Sequence, residues 1–69
     1  MERYLIKVKE EKQREVIADL SKLTKVQSLR PLWYYIYVKN GDITYIESIL
    51  KMAQNQGKIS LWVKDKLNS

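Results

Sequence analysis

Aromatic side chains recur at every second position in one short stretch of this 69-residue chain. In the segment 32–39, Trp33, Tyr35 and Tyr37 alternate with Tyr34, Ile36 and Val38. If this segment is a β-strand, the alternation places the first three rings on one face of a sheet. Exposed sheet aromatics stack on the bases of single-stranded nucleic acids, while nearby lysines and arginines bind the phosphates. The stretch therefore predicts binding chemistry.

Residues for bond-making chemistry are scarce. The chain contains no cysteine and no histidine, so the commonest general base and the thiol nucleophile are missing. The same absence excludes a disulfide framework and the ordinary zinc, copper and haem ligand sets. The junction Lys9–Lys12 has no glycine with which to cradle a phosphate. We expect a non-enzymatic protein without cofactor or metal.

Charge and hydropathy narrow the class of partner. Lysine and arginine number 13 against 8 acidic residues, and the net charge of +5 favours a polyanionic partner, although a basic surface that only maintains solubility explains it equally well.

No apolar run approaches the roughly 20 residues that span a bilayer. Charges at Glu2, Arg3 and Lys7 interrupt any signal-peptide core. We expect a soluble cytoplasmic protein, with residues 1–69 as one domain and no internal repeat.

Periodicity predicts the elements that hold the aromatic stretch in place. Alternation predicts strands, and apolar residues at helical spacing predict helices, with Asp42 as an N-cap and Gly57 as a terminator. The predicted strands are 3–9, 25–30, 32–39 and 59–64, and the helices are 10–23 and the segment from Asp42 to before Gly57. The order β-α-β-β-α-β predicts an α+β, ferredoxin-like sandwich: a four-stranded antiparallel sheet with two helices on one face.

The sheet face opposite the helices is the predicted contact surface. The aliphatic members of each strand should face the helices, including Ile59, Leu61 and Val63 of the last strand. Several rings on the other face would expose more apolar area than monomers usually leave uncovered. The predicted partner-binding or nucleic-acid-binding residues are Leu5, Lys7, Arg30, Trp33, Tyr35, Tyr37, Lys39, Trp62 and Lys64.

Three kinds of cover fit this surface. Single-stranded nucleic acid is one. A protein is another, either a second copy or a larger partner, because tryptophan and tyrosine dominate protein interfaces. The third is the chain's own C-terminal segment Lys64–Ser69. We predict a binding module that docks a macromolecular partner in a nucleic-acid-associated context. The alternative is a homodimeric regulatory or structural protein with a sheet-to-sheet interface and no nucleic-acid contact.

The order of segments also resembles a known family. The segments that carry this resemblance are Tyr4–Val8, Glu10–Leu23, Val26–Pro31, Tyr34–Val38 and the helix from Asp42. Together they resemble the N-terminal (NGN) domain of the NusG/Spt transcription elongation factors, in which an aromatic strand of similar type precedes a helix. The resemblance implies a module that docks RNA polymerase through an apolar surface and lies close to nucleic acid.

Overall fold

The computed structural model describes residues 1–65, which form an α+β fold of four strands and two α-helices. A single 3₁₀ turn precedes each helix, at Glu10–Lys12 and at Asn40–Asp42. The elements are β1 (Glu2–Val8), α1 (Gln13–Leu23), β2 (Lys25–Arg30), β3 (Trp33–Val38), α2 (Ile43–Asn55) and β4 (Ile59–Lys64). The predicted element types and their order are confirmed.

Both helices begin and end close to the predicted positions. Asp42 occupies the N-cap position of α2, but its side chain makes no capping hydrogen bond. Gly57 ends the helical segment with a φ of +74°, a left-handed conformation that glycine adopts without steric cost. Neither helix described among residues 1–65 is long and apolar enough to cross a membrane.

The four strands form one antiparallel sheet in the order β2-β3-β1-β4. The central strands β1 and β3 pair along most of their length, with Tyr4 opposite Ile36. Strand β4 lies beside β1, and β2 lies at the other edge beside β3. The first and third strands are therefore central, as the sequence predicts.

The hydrophobic core lies between one face of this sheet and the two helices. Alternate residues of β1 and β3 point into it, and α1 and α2 each contribute an apolar stripe. Burial of these side chains is the main favourable term in folding. The core residues are Tyr4, Ile6, Val8, Val16, Leu20, Tyr34, Ile36, Val38, Ile46, Leu50 and Ile59.

The last strand departs from the predicted alternation. Ile59 pairs with Val8 but Leu61 pairs with Lys7, so Ser60 is an extra residue in β4. A β-bulge of this kind shifts every following side chain to the opposite face. Leu61 therefore turns away from the core and is 38% exposed.

Trp62 and Lys64 consequently lie on the helix side of the sheet. Trp62 pairs with the buried Ile6 and packs against the core, with its ring centroid 6.1 Å from that of Tyr4. Lys64 pairs with Tyr4 and lies 3.8 Å from the Glu47 carboxylate of α2. The prediction that Trp62 and Lys64 lie on the uncovered face is wrong, because the single bulged residue inverts the strand's alternation.

Candidate functional site

The sheet face opposite the helices consists of three rows of side chains that run across the strands. We call this surface the open face. Its rows are Lys25–Tyr37–Arg3–Asp65, Gln27–Tyr35–Leu5–Val63 and Arg30–Trp33–Lys7–Leu61. Asp65 belongs to the first row because its backbone N–H donates to the Arg3 carbonyl at 2.7 Å.

Strand β3 contributes the aromatic centre of every row. Trp33, Tyr35 and Tyr37 are partly exposed, whereas the residues between them are buried. The rings of Tyr35 and Tyr37 meet edge to face with centroids 6.4 Å apart, a favoured arrangement for aromatic pairs. The predicted orientation of these three rings is confirmed.

Basic side chains flank the outer two rings. The Lys7 ammonium lies 5.5 Å from the Trp33 ring centroid, and the Arg30 guanidinium lies 5.3 Å from it. Arg30 reaches this row because β2 also carries an irregularity, between Ser28 and Arg30. Cations within about 6 Å of an aromatic ring are attracted by its quadrupole. Trp33 therefore holds two positive charges beside it.

The ring of Tyr37 has a similar environment at the other end of β3. The Lys25 ammonium lies 5.8 Å from its centroid, and its hydroxyl donates to the Gln27 side-chain carbonyl. Lys25 and Gln27 come from the weak second strand and were not among the predicted site residues. Their pairing with Tyr37 and Tyr35 places them on the open face.

Arg3 is the most constrained cation of the open face. Its guanidinium lies 4.2 Å above the Tyr35 ring centroid, and its Nη2 lies 3.2 Å from Oδ2 of Asp65. Burial lowers the pKa of Arg3, but the Tyr37 hydroxyl and the Asp65 carboxylate outweigh that effect, so the pKa stays above its ordinary value. The Arg3 Nε is buried and has no hydrogen-bond partner within residues 1–65.

Arg3 was not among the predicted site residues. The signal was present, because Arg3 alternates with Leu5 and Lys7 along β1 and must share their face. The contact with Asp65 carried no such signal, since 62 positions separate the two residues.

An apolar strip completes the open face on the β4 side. It consists of Leu5, Leu61 and Val63, of which Val63 is 42% exposed. The sequence placed Leu61 and Val63 under the helices, and the bulge at Ser60 is the reason for the error.

Six of the nine predicted site residues therefore lie together: Leu5, Lys7, Arg30, Trp33, Tyr35 and Tyr37. Lys39 follows β3 and is exposed at the start of the second 3₁₀ turn, outside the three rows. Trp62 and Lys64 lie on the other side of the sheet. In the alternative in which the C-terminal segment Lys64–Ser69 covers the rings, Lys64 lies on the helix side of the sheet. Residues 66–69 of that segment lie outside the described part of the chain.

The charge of the open face is strongly one-sided. Its three rows hold the four cations Arg3, Lys7, Lys25 and Arg30 and the single carboxylate of Asp65, which leaves a net charge of +3. The other residues of the rows are neutral. The surface combines planar rings with positive charge, a composition also found in proteins that bind single-stranded nucleic acids.

In residues 1–65, no group of three or more acidic side chains is placed to hold a metal ion. A scan against models of protein families, a search of curated proteins and a search of solved structures found no match for the chain.

Proposed function

We propose that this protein is a non-enzymatic module that binds single-stranded nucleic acid on its open face. Lys7, Lys25 and Arg30 contact phosphates, and the rings of Trp33 and Tyr37 contact bases. The observation that carries the proposal is the placement of cations beside the rings of Tyr37 and Trp33 in the two outer cross-strand rows. Stacking tolerates any base, so this chemistry predicts little sequence preference.

The fold assignment that we propose is the ferredoxin-like sandwich. The order β-α-β-β-α-β with β1 and β3 at the centre of the sheet supports this assignment. The same fold carries unrelated functions, so the functional proposal rests on the open face and not on the fold. The NGN-like context, with RNA polymerase as a protein partner, remains a separate proposal that the resemblance alone supports.

Charge complementarity favours a nucleic acid over a second copy of the chain. Two open faces packed together would oppose a net +3 with a net +3, counting the residues of the three rows. Like charges across an interface are unfavourable, whereas a polyanion releases counterions on binding. The homodimer retains one supporting observation, the apolar strip of Leu5, Leu61 and Val63.

Trp33 offers a direct test of the proposal. The chain has two tryptophans, so a Trp62→Phe variant leaves Trp33 as the only tryptophan reporter. We expect single-stranded DNA and RNA to quench its fluorescence. With three phosphates neutralised, raising the salt from about 50 to about 200 mM should weaken binding by about 20-fold.

Charge-matched variants separate the open face from general basicity. Lys7→Gln and Lys25→Gln should weaken oligonucleotide binding, whereas Lys22→Gln and Lys51→Gln on the exposed sides of the helices should not. All four variants lose the same charge. Absence of Trp33 quenching at low salt, together with a dimer mass by light scattering that persists in high salt and falls on dilution, would eliminate the proposal and establish the homodimer.

A further inference from the structure

We propose that Arg3, supported by the ring of Tyr35, binds one nucleobase at the centre of the open face. The base stacks on the outer side of the Arg3 guanidinium, which Tyr35 supports from below. This inference rests on the proposed function, and it adds that Arg3 recognises a base while the other three cations of the face recognise phosphates.

The contacts of Arg3 hold its guanidinium in one place. The ring of Tyr35 lies beneath it at 4.2 Å, and Asp65 is bonded to its edge at 3.2 Å. Arg3 and Tyr35 come from the central strands β1 and β3, so the platform lies at the middle of the sheet. A quarter of the Arg3 side chain remains exposed. A planar cation fixed in this way presents its outer side to a ligand.

Asp65 decides which part of a nucleotide Arg3 can bind. Phosphates bind arginine at the edge of the guanidinium, through the fork of N–H donors. Asp65 already accepts a hydrogen bond from Nη2 on that edge at 3.2 Å, and its negative charge repels a phosphate. Base stacking uses the plane of the guanidinium instead, which the carboxylate leaves open. Among residues 1–65, no carboxylate forms a salt bridge with Lys7, Lys25 or Arg30.

The sharpest test compares two ligands that differ only in their bases. One is a single-stranded DNA, and the other is an abasic strand of the same length with the same phosphates. Arg3→Lys keeps the charge and removes the plane. We expect Arg3→Lys to weaken binding of the base-containing strand by about 5-fold or more, since one stacked base contributes about 1–3 kcal/mol. Binding of the abasic strand should not change.

Two further variants complete the experiment. Tyr35→Leu removes the support beneath Arg3 and should weaken binding of the base-containing strand without changing binding of the abasic strand. The double variant Arg3→Lys, Tyr35→Leu should bind the base-containing strand about as tightly as either single variant. Lys7→Gln is the control and should weaken both ligands alike. Circular dichroism of each variant checks that the fold persists.

The outcomes separate this inference from the proposed function. If Arg3→Lys leaves both ligands unchanged, or weakens both equally, the base platform is wrong while nucleic-acid binding stands. If the wild-type protein binds the abasic strand as tightly as the natural one, the platform is again wrong. If the wild-type protein binds neither strand, both proposals fall.

Discussion

Tyr4 is a core residue whose polar end reaches the helix layer. Its side chain is fully buried, and its hydroxyl donates to Glu47 of α2 at 2.5 Å. Burial raises the pKa of Tyr4 above its ordinary value, and the hydrogen bond to Glu47 raises it further. The phenol therefore stays protonated in the folded protein at a pH where an exposed tyrosine ionises.

This raised pKa predicts a loss of stability at alkaline pH. Below the ordinary tyrosine pKa of 10.0 the contribution of Tyr4 is fully present. It is lost as the pH rises above that value, because the unfolded chain releases the Tyr4 proton first. Tyr4→Phe should lower the free energy of unfolding near neutral pH by about 1 kcal/mol. The variant should also lose less stability than the wild type as the pH rises.

Urea denaturation at about pH 8 and about pH 11 measures this difference, since tyrosines and lysines titrate in that interval. The matched control is Tyr45→Phe, because Tyr45 on α2 is 58% exposed. Equal alkaline losses in the two variants would contradict the assignment to Tyr4.

Leu32 adopts a backbone conformation that side chains seldom take. It follows Pro31 in the two-residue turn between β2 and β3, with a φ of +75°. Left-handed backbone costs an L-residue about 1–2 kcal/mol. The contacts of Leu32 stabilise this conformation, because its side chain packs against the core and its carbonyl accepts the Val8 N–H at 2.8 Å.

We predict that the usual order of alanine and glycine is reversed at Leu32. Both substitutions lose the packing of the leucine side chain, but only Leu32→Ala keeps the strained φ. Leu32→Gly should therefore be more stable than Leu32→Ala by about 1 kcal/mol. Ala18→Gly in the exposed part of α1 is the control and should instead cost about 1 kcal/mol. Denaturation midpoints that rank Leu32→Gly below Leu32→Ala would refute the strain.

At the scale of elements, β4 shows how one residue redistributes the functions of a strand. The extra Ser60 donates its hydroxyl to the Lys7 carbonyl at 3.2 Å. Beyond it, Trp62 supports the core while Leu61 and Val63 join the open face. The two tryptophans of the chain are therefore expected to serve different purposes, one in folding and one in binding.

Tryptophan-to-alanine variants test this division. Trp62→Ala removes a ring that packs on Tyr4 and should cost about 2 kcal/mol or more of unfolding free energy. Trp33→Ala removes a ring from the open face and should cost about 1 kcal/mol or less. Urea denaturation followed by circular dichroism measures both values. Equal costs for the two variants would mean that the ring of Trp62 does not support the core.

The whole molecule consists of two similar β-α-β halves. The 3₁₀ turns at Glu10–Lys12 and Asn40–Asp42 are separated by 30 positions, and so are the first residues of the two helices. Ten of the eleven core residues follow the same spacing: Tyr4 and Tyr34, Ile6 and Ile36, Val8 and Val38, Val16 and Ile46, and Leu20 and Leu50. Ile59 is the exception, because Leu29 is exposed. This correspondence was missed in the sequence, because the exposed positions of the two halves differ.

Core residues at equivalent positions of the two halves should contribute similarly to the free energy of unfolding. Leu20→Ala and Leu50→Ala should each cost about 2–5 kcal/mol. A chain of this size has only about 3–10 kcal/mol of stability, so either variant should lower the midpoint of thermal unfolding markedly. Leu29→Ala is the control, because Leu29 is 43% exposed. A large cost at Leu20 with a small cost at Leu50 would contradict the equivalence.

Local patterns in the sequence were sufficient for the elements and for the aromatic centre of the site. Alternation in β3 predicted which of its rings leave the core, because successive side chains of a strand must point to opposite faces. The same rule on β1 predicted the positions of Leu5 and Lys7. Helical spacing and Gly57 predicted the end of α2 within a few residues.

The tertiary structure alone determined which side chains of β4 point toward the helices, and that Arg3 pairs with Asp65. The bulge at Ser60 depends on the register between β4 and β1, and no residue type within β4 predicts it. Arg3 and Asp65 approach each other because β1 and β4 are neighbours in the sheet although their residues lie at opposite ends of the chain. Periodicity is a property of neighbouring residues, whereas register and long-range pairing arise from the packing of the sheet as a whole.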